Sequence, residues 1–225
     1  MPDEHDESRA KARILIVDDH PIVRQGVAQM VNQQADLQLC CEAANGEEAL
    51  SAMRRCHHDL AIVDISLEGL SGFSLITALV ARYPELPILV VSFHEETLYA
   101  ERTLRLGAKG YIMKHQATGT ILAAIRRILA GGIYLSDDMQ SLILERLRTP
   151  SSDPGIADPV ACLTDREFEV LRLVGFGFGT RQIAEKLNRT VKTVEAHRAN
   201  IKEKLGLTTG TELARFAILW VEDKR

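Results

Sequence analysis

The sequence predicts an α/β doubly wound domain followed by a small all-α domain. Three observations carry this. Over the first 130 residues, short apolar runs alternate with helical patterns. The stretch "TPSSDPGIADP" (149–159), with three prolines, then interrupts the pattern. Beyond it, apolar residues recur only at helical spacing.

The first element is preceded by "MPDEHDESRAKA", a polar segment read as a disordered tail over residues 1–12 and not as a signal peptide. The apolar runs "RILIV" (13–17), "LQLCCE" (37–42), "LAIV" (60–63), "PILVVS" (87–92) and "GYIM" (110–113) have strand length. Between them lie helical spacings, such as Ile22, Val23, Val27, Met30 and Val31, and then Leu75, Ile76, Leu79 and Val80. The last such pattern starts at Thr118 and stops at Gly131-Gly132. Five strand–helix units imply a parallel sheet covered on both faces by right-handed crossovers. The first domain is therefore placed at 13–133. Residues 134–160 are read as a short helix, Asp137 to Arg148, and a Pro/Ser-rich linker.

The second domain, 161–225, opens with Thr164 and Glu167 spaced as a capping box. Helical patterns follow at about 180–187, 190–205 and 210–221, with Asn188-Arg189 between the first two. Two helices joined so tightly suggest a helix-turn-helix. The glycines of "GFGFG" (175–179) follow a helical pattern, which excludes a nucleotide loop after a strand. They are read as a flexible helix connection.

Composition narrows the function classes. The longest apolar runs are too short to span a membrane. Cys40, Cys41, Cys56 and Cys162 form no CxxC pair, so reduced thiols and a cytoplasmic location are expected. The seven histidines show no ligand spacing, and His57-His58 are expected at a solvated helix end. The net charge of −4 conceals an asymmetry. Residues 1–160 hold 15 basic and 22 acidic side chains, whereas residues 161–225 hold 12 and 9. A basic rear part is compatible with nucleic-acid binding.

The chemistry is signalled by "LAIVDISLEGLSG" (60–72), where a core strand ends on Asp64. Ligands of doubly wound sheets bind at the carboxyl ends of the strands. Those ends carry Asp18-Asp19, Asp64, Ser92 and Met113-Lys114. Each has a bland explanation as a helix cap, but the set would converge on one edge. Clustered carboxylates repel unless a cation is present, and Mg²⁺ prefers oxygen ligands. Asp19, Asp64 and the Ser66 carbonyl can supply such oxygens, with Asp18 acting through a water. Asp64 can then attack phosphorus, Lys114 can pair with the phosphoryl oxygens, and Ser92 can bond the new phosphate.

The motifs "VDDH", "VDISLEGLSG", "VVSF" and "GAKGYIMK" resemble a response-regulator receiver domain over 13–133. "LTDREFEVL" and "IAEKLNRTVKTVEAHRANIKEKLG" resemble a LuxR-type helix-turn-helix over 161–221. The order is that of the NarL/FixJ class of two-component regulators. The resemblance implies a flavodoxin-like receiver of five parallel strands in the order 2-1-3-4-5. It implies Asp64 as phosphoacceptor, Asp18 and Asp19 as the metal-binding pair, and Lys114 as the family's lysine. It also implies Ser92 and Tyr111 as switch residues, although Tyr111 could equally be an edge-strand core residue. The sequence departs from the family in having Leu67-Glu68 where Met-Pro often stands, which adds a negative charge beside the site.

In the helix Val191 to Leu205, with Thr190 as N-cap, Val191, Val194, Ile201 and Leu205 share an apolar face at 100° per residue. Lys192, Glu195, Ala196, Ala199 and Glu203 centre on the opposite face, flanked by Thr193, Arg198, Asn200 and Lys202. The bland reading is a solvated charged face. The candidate DNA contacts are Lys192, Thr193, Glu195, Ala196, Arg198, Ala199 and Lys202, with Thr180 and Arg189 from the preceding helix and turn. His197 lies near the apolar side. In the final helix, Leu213, Phe216, Ala217 and Trp220 suit the core, and Ala214, Ile218 and Val221 form a second stripe for a dimer contact or a further helix.

The expected function is a phosphorylation-controlled transcription regulator, not a classical enzyme. Its expected partners are a sensor histidine kinase, double-stranded DNA and, when phosphorylated, a second copy of itself. The acidic receiver is expected to cover the basic domain until phosphorylated. A rival Asp-nucleophile phosphatase would want D-x-D, which Asp64-Ile65-Ser66 lacks; a rival flavin protein would want a phosphate loop where Asp18-Asp19 stand.

Overall fold

The computed structural model describes residues 11–67, 70–148 and 159–223, so Glu68 and most of the linker lie outside the described residues. The chain divides into two compact units, Met1–Ile143 and Leu144–Arg225. Among the described residues, no helix is long and apolar enough to cross a membrane.

The first unit alternates β1 (Ala12–Val17), α1 (Pro21–Asn32), β2 (Leu37–Ala43), α2 (Gly46–Arg55), β3 (Leu60–Val63), α3 (Gly72–Arg82), β4 (Ile88–Ser92), α4 (Glu96–Arg105), β5 (Gly110–Met113) and α5 (Ala117–Leu129). The five strands are parallel and ordered β2-β1-β3-β4-β5. The order in which strands are added across the sheet reverses between β1 and β3, and this switch point opens the crevice that ligands of such sheets occupy. Alternate residues of each strand face opposite layers. Ile14, Ile16, Leu60, Ile62, Leu89 and Val91 pack with Val27 and Val31 of α1 and with Ile121, Ile125 and Ile128 of α5. Ile22, part of the apolar helical spacing, is exposed instead, in the first turn of α1.

The first unit extends past the expected boundary at 133. Tyr134 accepts from Tyr111 N and donates to Lys109 O, covering the free edge of β5, and α6 (Asp137–Arg148) follows. Covering an edge strand removes a row of unpaired backbone groups.

The second unit holds a short 3₁₀ turn (Pro159–Cys162) and then α7 (Asp165–Gly175), α8 (Thr180–Lys186), α9 (Val191–Leu205) and α10 (Gly210–Asp223). Thr164 and Glu167 form the capping box. Glu167 is buried, yet Lys204 Nζ at 2.6 Å and the Thr164 amide outweigh burial and hold its carboxyl below the usual range. The glycine-rich connection is not simply flexible. A Cβ on Gly175 would lie 2.5 Å from Ala217 O, so this glycine lets α7 and α10 approach closely. Gly177 has φ +82°, and Gly179 is the N-cap of α8.

Candidate functional site

The strand ends converge. Asp18 and Asp64, buried side by side at the ends of β1 and β3, both receive Lys114 Nζ, at 2.7 Å each. Asp64 N bonds Val17 O, and Asp64 Oδ1 accepts the Ser66 amide at 3.0 Å. Burial pushes the Asp64 carboxyl up, with Asp18 adding to this, while Lys114 and the Ser66 amide pull it down. The loop after Asp64 needs glycine at its end. A Cβ on Gly72 would fall inside van der Waals contact of the Asp64 carbonyl oxygen and the Ile65 Cα. The α3 N-terminus therefore packs against the acidic residue only because position 72 has no side chain.

Asp18, Asp19, Asp64 and His20 place ligand atoms within 4.8 Å of one another. Asp19 Oδ1 is buried and lies 2.6 Å from His20 Nδ1, in an orientation that makes no hydrogen bond. An oxygen left in that state beside two further carboxylates fits a hard divalent cation. Ser66 presents its amide to Asp64 and its hydroxyl to His94 Nε2 at 3.1 Å.

Ser92 is fully buried at the end of β4, its Oγ accepting His94 N at 3.2 Å. Tyr111 is buried on β5, and its hydroxyl donates to His94 O at 2.9 Å. Burial drives the Tyr111 phenol well above its ordinary range. The loop 92–94 therefore ties the hydroxyl residue to the aromatic one.

Sequence reasoning missed four residues here. Phe93 lies with its ring 4.7 Å from Lys114 Nζ and meets His20 edge-on at 5.7 Å. His94 stacks on Tyr99 at 4.6 Å. Arg24 Nη1 donates to Asp18 O at 2.6 Å. Their only signal was adjacency: His20 closes "VDDH", and Phe93-His94 follow Ser92.

In the second unit the turn between α8 and α9 is tight because Asn188 adopts φ +49° and Arg189 N returns to Ala184 O at 2.8 Å. Thr190 caps α9 by accepting Thr193 N. Lys192, Glu195, Ala196, Ala199, Asn200 and Glu203 are exposed, and Thr193, His197, Arg198 and Lys202 are half-buried. Arg189 is exposed and Thr180 half-buried. Val194 and Ile201 carry the buried face. Val191, at the first position of α9, departs from the expected face and is exposed. In α10, Val221 belongs to the core against Gly175, so the second stripe reduces to Ile218 and its neighbour Leu219, both exposed.

Two family models match: the response regulator receiver domain over residues 14–126, and the luxR family of bacterial regulatory proteins over 161–217. The oxygen regulatory protein NreC of Staphylococcus carnosus is 36% identical over 92% of this chain and 96% of its own length. A LuxR-family two-component response regulator from Aurantimonas is 31% identical over 61% of this chain and 99% of that one, with a TM-score of 0.57. RcsB of Salmonella enterica serovar Typhimurium, solved on a promoter with the phosphomimetic BeF₃⁻, covers 92% of this chain and 98% of its own at 26% identity, with a TM-score of 0.59.

Proposed function

The chain belongs to the two-component response regulators that join a receiver to a LuxR-type DNA-binding domain, and from that premise we propose that Asp64 is its phosphoacceptor. The observation that carries this reading is the buried Asp18–Lys114–Asp64 triplet at the sheet's switch point. A carboxylate there is shielded from water and already held by a cation.

In the proposed reaction an Asp64 oxygen attacks phosphorus and the bond to the kinase histidine breaks. The leaving imidazole keeps the bond's electron pair and is protonated from solvent. Lys114 shifts from bridging two carboxylates to the phosphoryl oxygens. The Ser92 hydroxyl turns from His94 N to the same oxygens, which loosens the loop that holds the Tyr111 hydroxyl. Asp18, Asp19 and Asp64 with the Ser66 carbonyl would hold Mg²⁺, which would supply charge neutralisation for the carboxylates and the incoming phosphate.

The output is proposed to be control of DNA binding in the cytoplasm by a homodimer, with α9 entering the major groove. The exposed face of α9 supports this, and Ile218 and Leu219 on α10 are candidate dimer contacts. The chain is proposed to accept one phosphoryl group and not to act as a turnover enzyme.

The test uses a small acyl phosphate with Mg²⁺ and intact mass. Wild type should gain one phosphoryl group, and Asp64→Asn or chelation should abolish the gain. Full modification of Asp64→Asn overturns the assignment. Bound yellow chromophore or steady turnover would favour the enzyme reading.

A further inference from the structure

A second cluster of donor atoms lies away from the acidic pocket, on β2 and the loop after α2. Cys40, Cys41 and His58 each bring one ligand atom within 4.8 Å of the others. Two consecutive strand residues ordinarily face opposite sides of a sheet. Here the pairing of β1 with β2 slips: Ile14 pairs with Leu39 and Leu15 with Cys41, leaving Cys40 as an extra residue. Such a bulge re-aims side chains, and it turns both thiols toward one place.

His58 is the independent sign that a ligand belongs there. It is buried to 96%, its exposure being 4%. One ring nitrogen faces the Cys56 backbone without reaching hydrogen-bond geometry, and neither nitrogen has a partner among the described residues. A buried imidazole left this way is costly unless something takes its lone pair. Nor is the loop loose. Arg13 N donates to Asp59 Oδ2, Asp59 N to Arg13 O and Arg13 Nε to His57 O, so β1 pins the segment that presents His58. Cys56, the residue that ends α2, approaches Cys41 closely enough to help raise its thiol pKa.

We infer that Cys40, Cys41, Cys56 and His58 form a tetrahedral Zn²⁺ site. Three sulfurs and one nitrogen are a donor set that Zn²⁺ takes in structural sites. With Zn–S and Zn–N distances near 2.3 and 2.0 Å, donor atoms must lie about 3.5–3.8 Å apart. Cys40, Cys41 and His58 already place theirs within 4.8 Å of one another, and the Cys56 side chain has to rotate in to complete the set. Burial lowers the His58 pKa, as do Arg13 and His57, which favours the neutral ligating form. Burial, Cys56 and Cys40 push Cys41 up to about 11, so metal entry would release protons. An open cleft lined by Cys56, His58, Tyr83 and Leu86 borders the cluster on one side. A disulfide between two of the thiols would leave the imidazole unpartnered, which is why a metal is the preferred occupant.

The test is optical titration of the reduced, chelator-stripped full-length protein with Co²⁺. A thiolate-to-cobalt charge-transfer band should grow to saturation at one ion per chain and be displaced by Zn²⁺. The band should persist in Asp64→Asn and in Cys162→Ser, which excludes the acidic pocket and the remaining cysteine. Cys41→Ser and His58→Gln should each weaken binding at least about tenfold. Absence of the band from the reduced wild type overturns the inference whether or not the variants fold, and so does its survival undiminished in Cys41→Ser.

Discussion

The receiver pocket and the α9 surface solve opposite problems. In the pocket, Asp18, Asp64, Ser92 and Lys114 are all buried, and each polar group is tied to a named neighbour. On α9, Lys192, Glu195, Ala196 and Ala199 are exposed, and only the helix phase sets where they point. A buried charge must be neutralised in place, so the pocket's chemistry and the unit's stability depend on the same atoms. A surface face can be rewritten without touching the core behind it. In the pocket function and folding should therefore change together, whereas on α9 they should separate.

The largest expected effect is that of Asp64→Asn, which should abolish phosphoryl acceptance and yet stabilise the receiver at neutral pH. Burial, the leading cause, raises the folded-state pKa of Asp64. The stability linked to this group is therefore full below its unfolded pKa and falls as pH rises through the folded value. The variant's advantage should grow as pH rises from about 4, the ordinary carboxylate value, and level off above the raised folded value, measured by urea unfolding without Mg²⁺. A variant less stable than wild type at pH 7 would mean that Lys114 and the Ser66 amide outweigh burial.

Gly72→Ala should break the same link from the backbone side. The added Cβ meets the Asp64 carbonyl and cannot be absorbed by a flexible side chain. We expect a loss of about 1–3 kcal/mol or more in unfolding free energy, with reduced phosphoryl acceptance. Unchanged acceptance at lowered stability would show that the Asp64 position tolerates a shift of the α3 N-terminus.

On α9 the effects should be smaller and confined to DNA. Glu195→Ala should relax preference at one base position by roughly 1–3 kcal/mol, seen in a binding-selection profile, with the melting temperature unmoved. Lys202→Ala should weaken binding to all sequences alike and flatten the salt slope by about one unit. If Lys202→Ala rewrites the preferred site while Glu195→Ala leaves it intact, the face is rotated from the assignment made here.

Much of this was legible in one dimension. The strands and helices and their approximate bounds followed from local periodicity and from turn residues, which act over a few positions and therefore leave a local record, whereas the strand order came from the resemblance to the receiver family. The acidic pocket was legible because strand ends in a doubly wound sheet must meet at one edge, so Asp18, Asp64, Ser92 and Lys114 could be grouped before any contact was seen. The exposed face of α9 followed from angular phase alone. Three features did not follow. Gly72 and Gly175 read as loop residues, because close approach depends on which backbone arrives from elsewhere in the chain. Ile22 was misplaced because helix phase alone does not decide burial in a first turn, and Val221 took the helix-packing alternative that the sequence had left open beside a dimer contact. Cys40, Cys41 and His58 showed no ligand spacing, since a register slip between β1 and β2 and a loop pinned by Arg13 bring them together. The amino-acid order by itself determined what each segment becomes and which strand ends share an edge. The tertiary structure alone decided which surfaces meet, because packing distance and strand register depend on residues far apart in the chain.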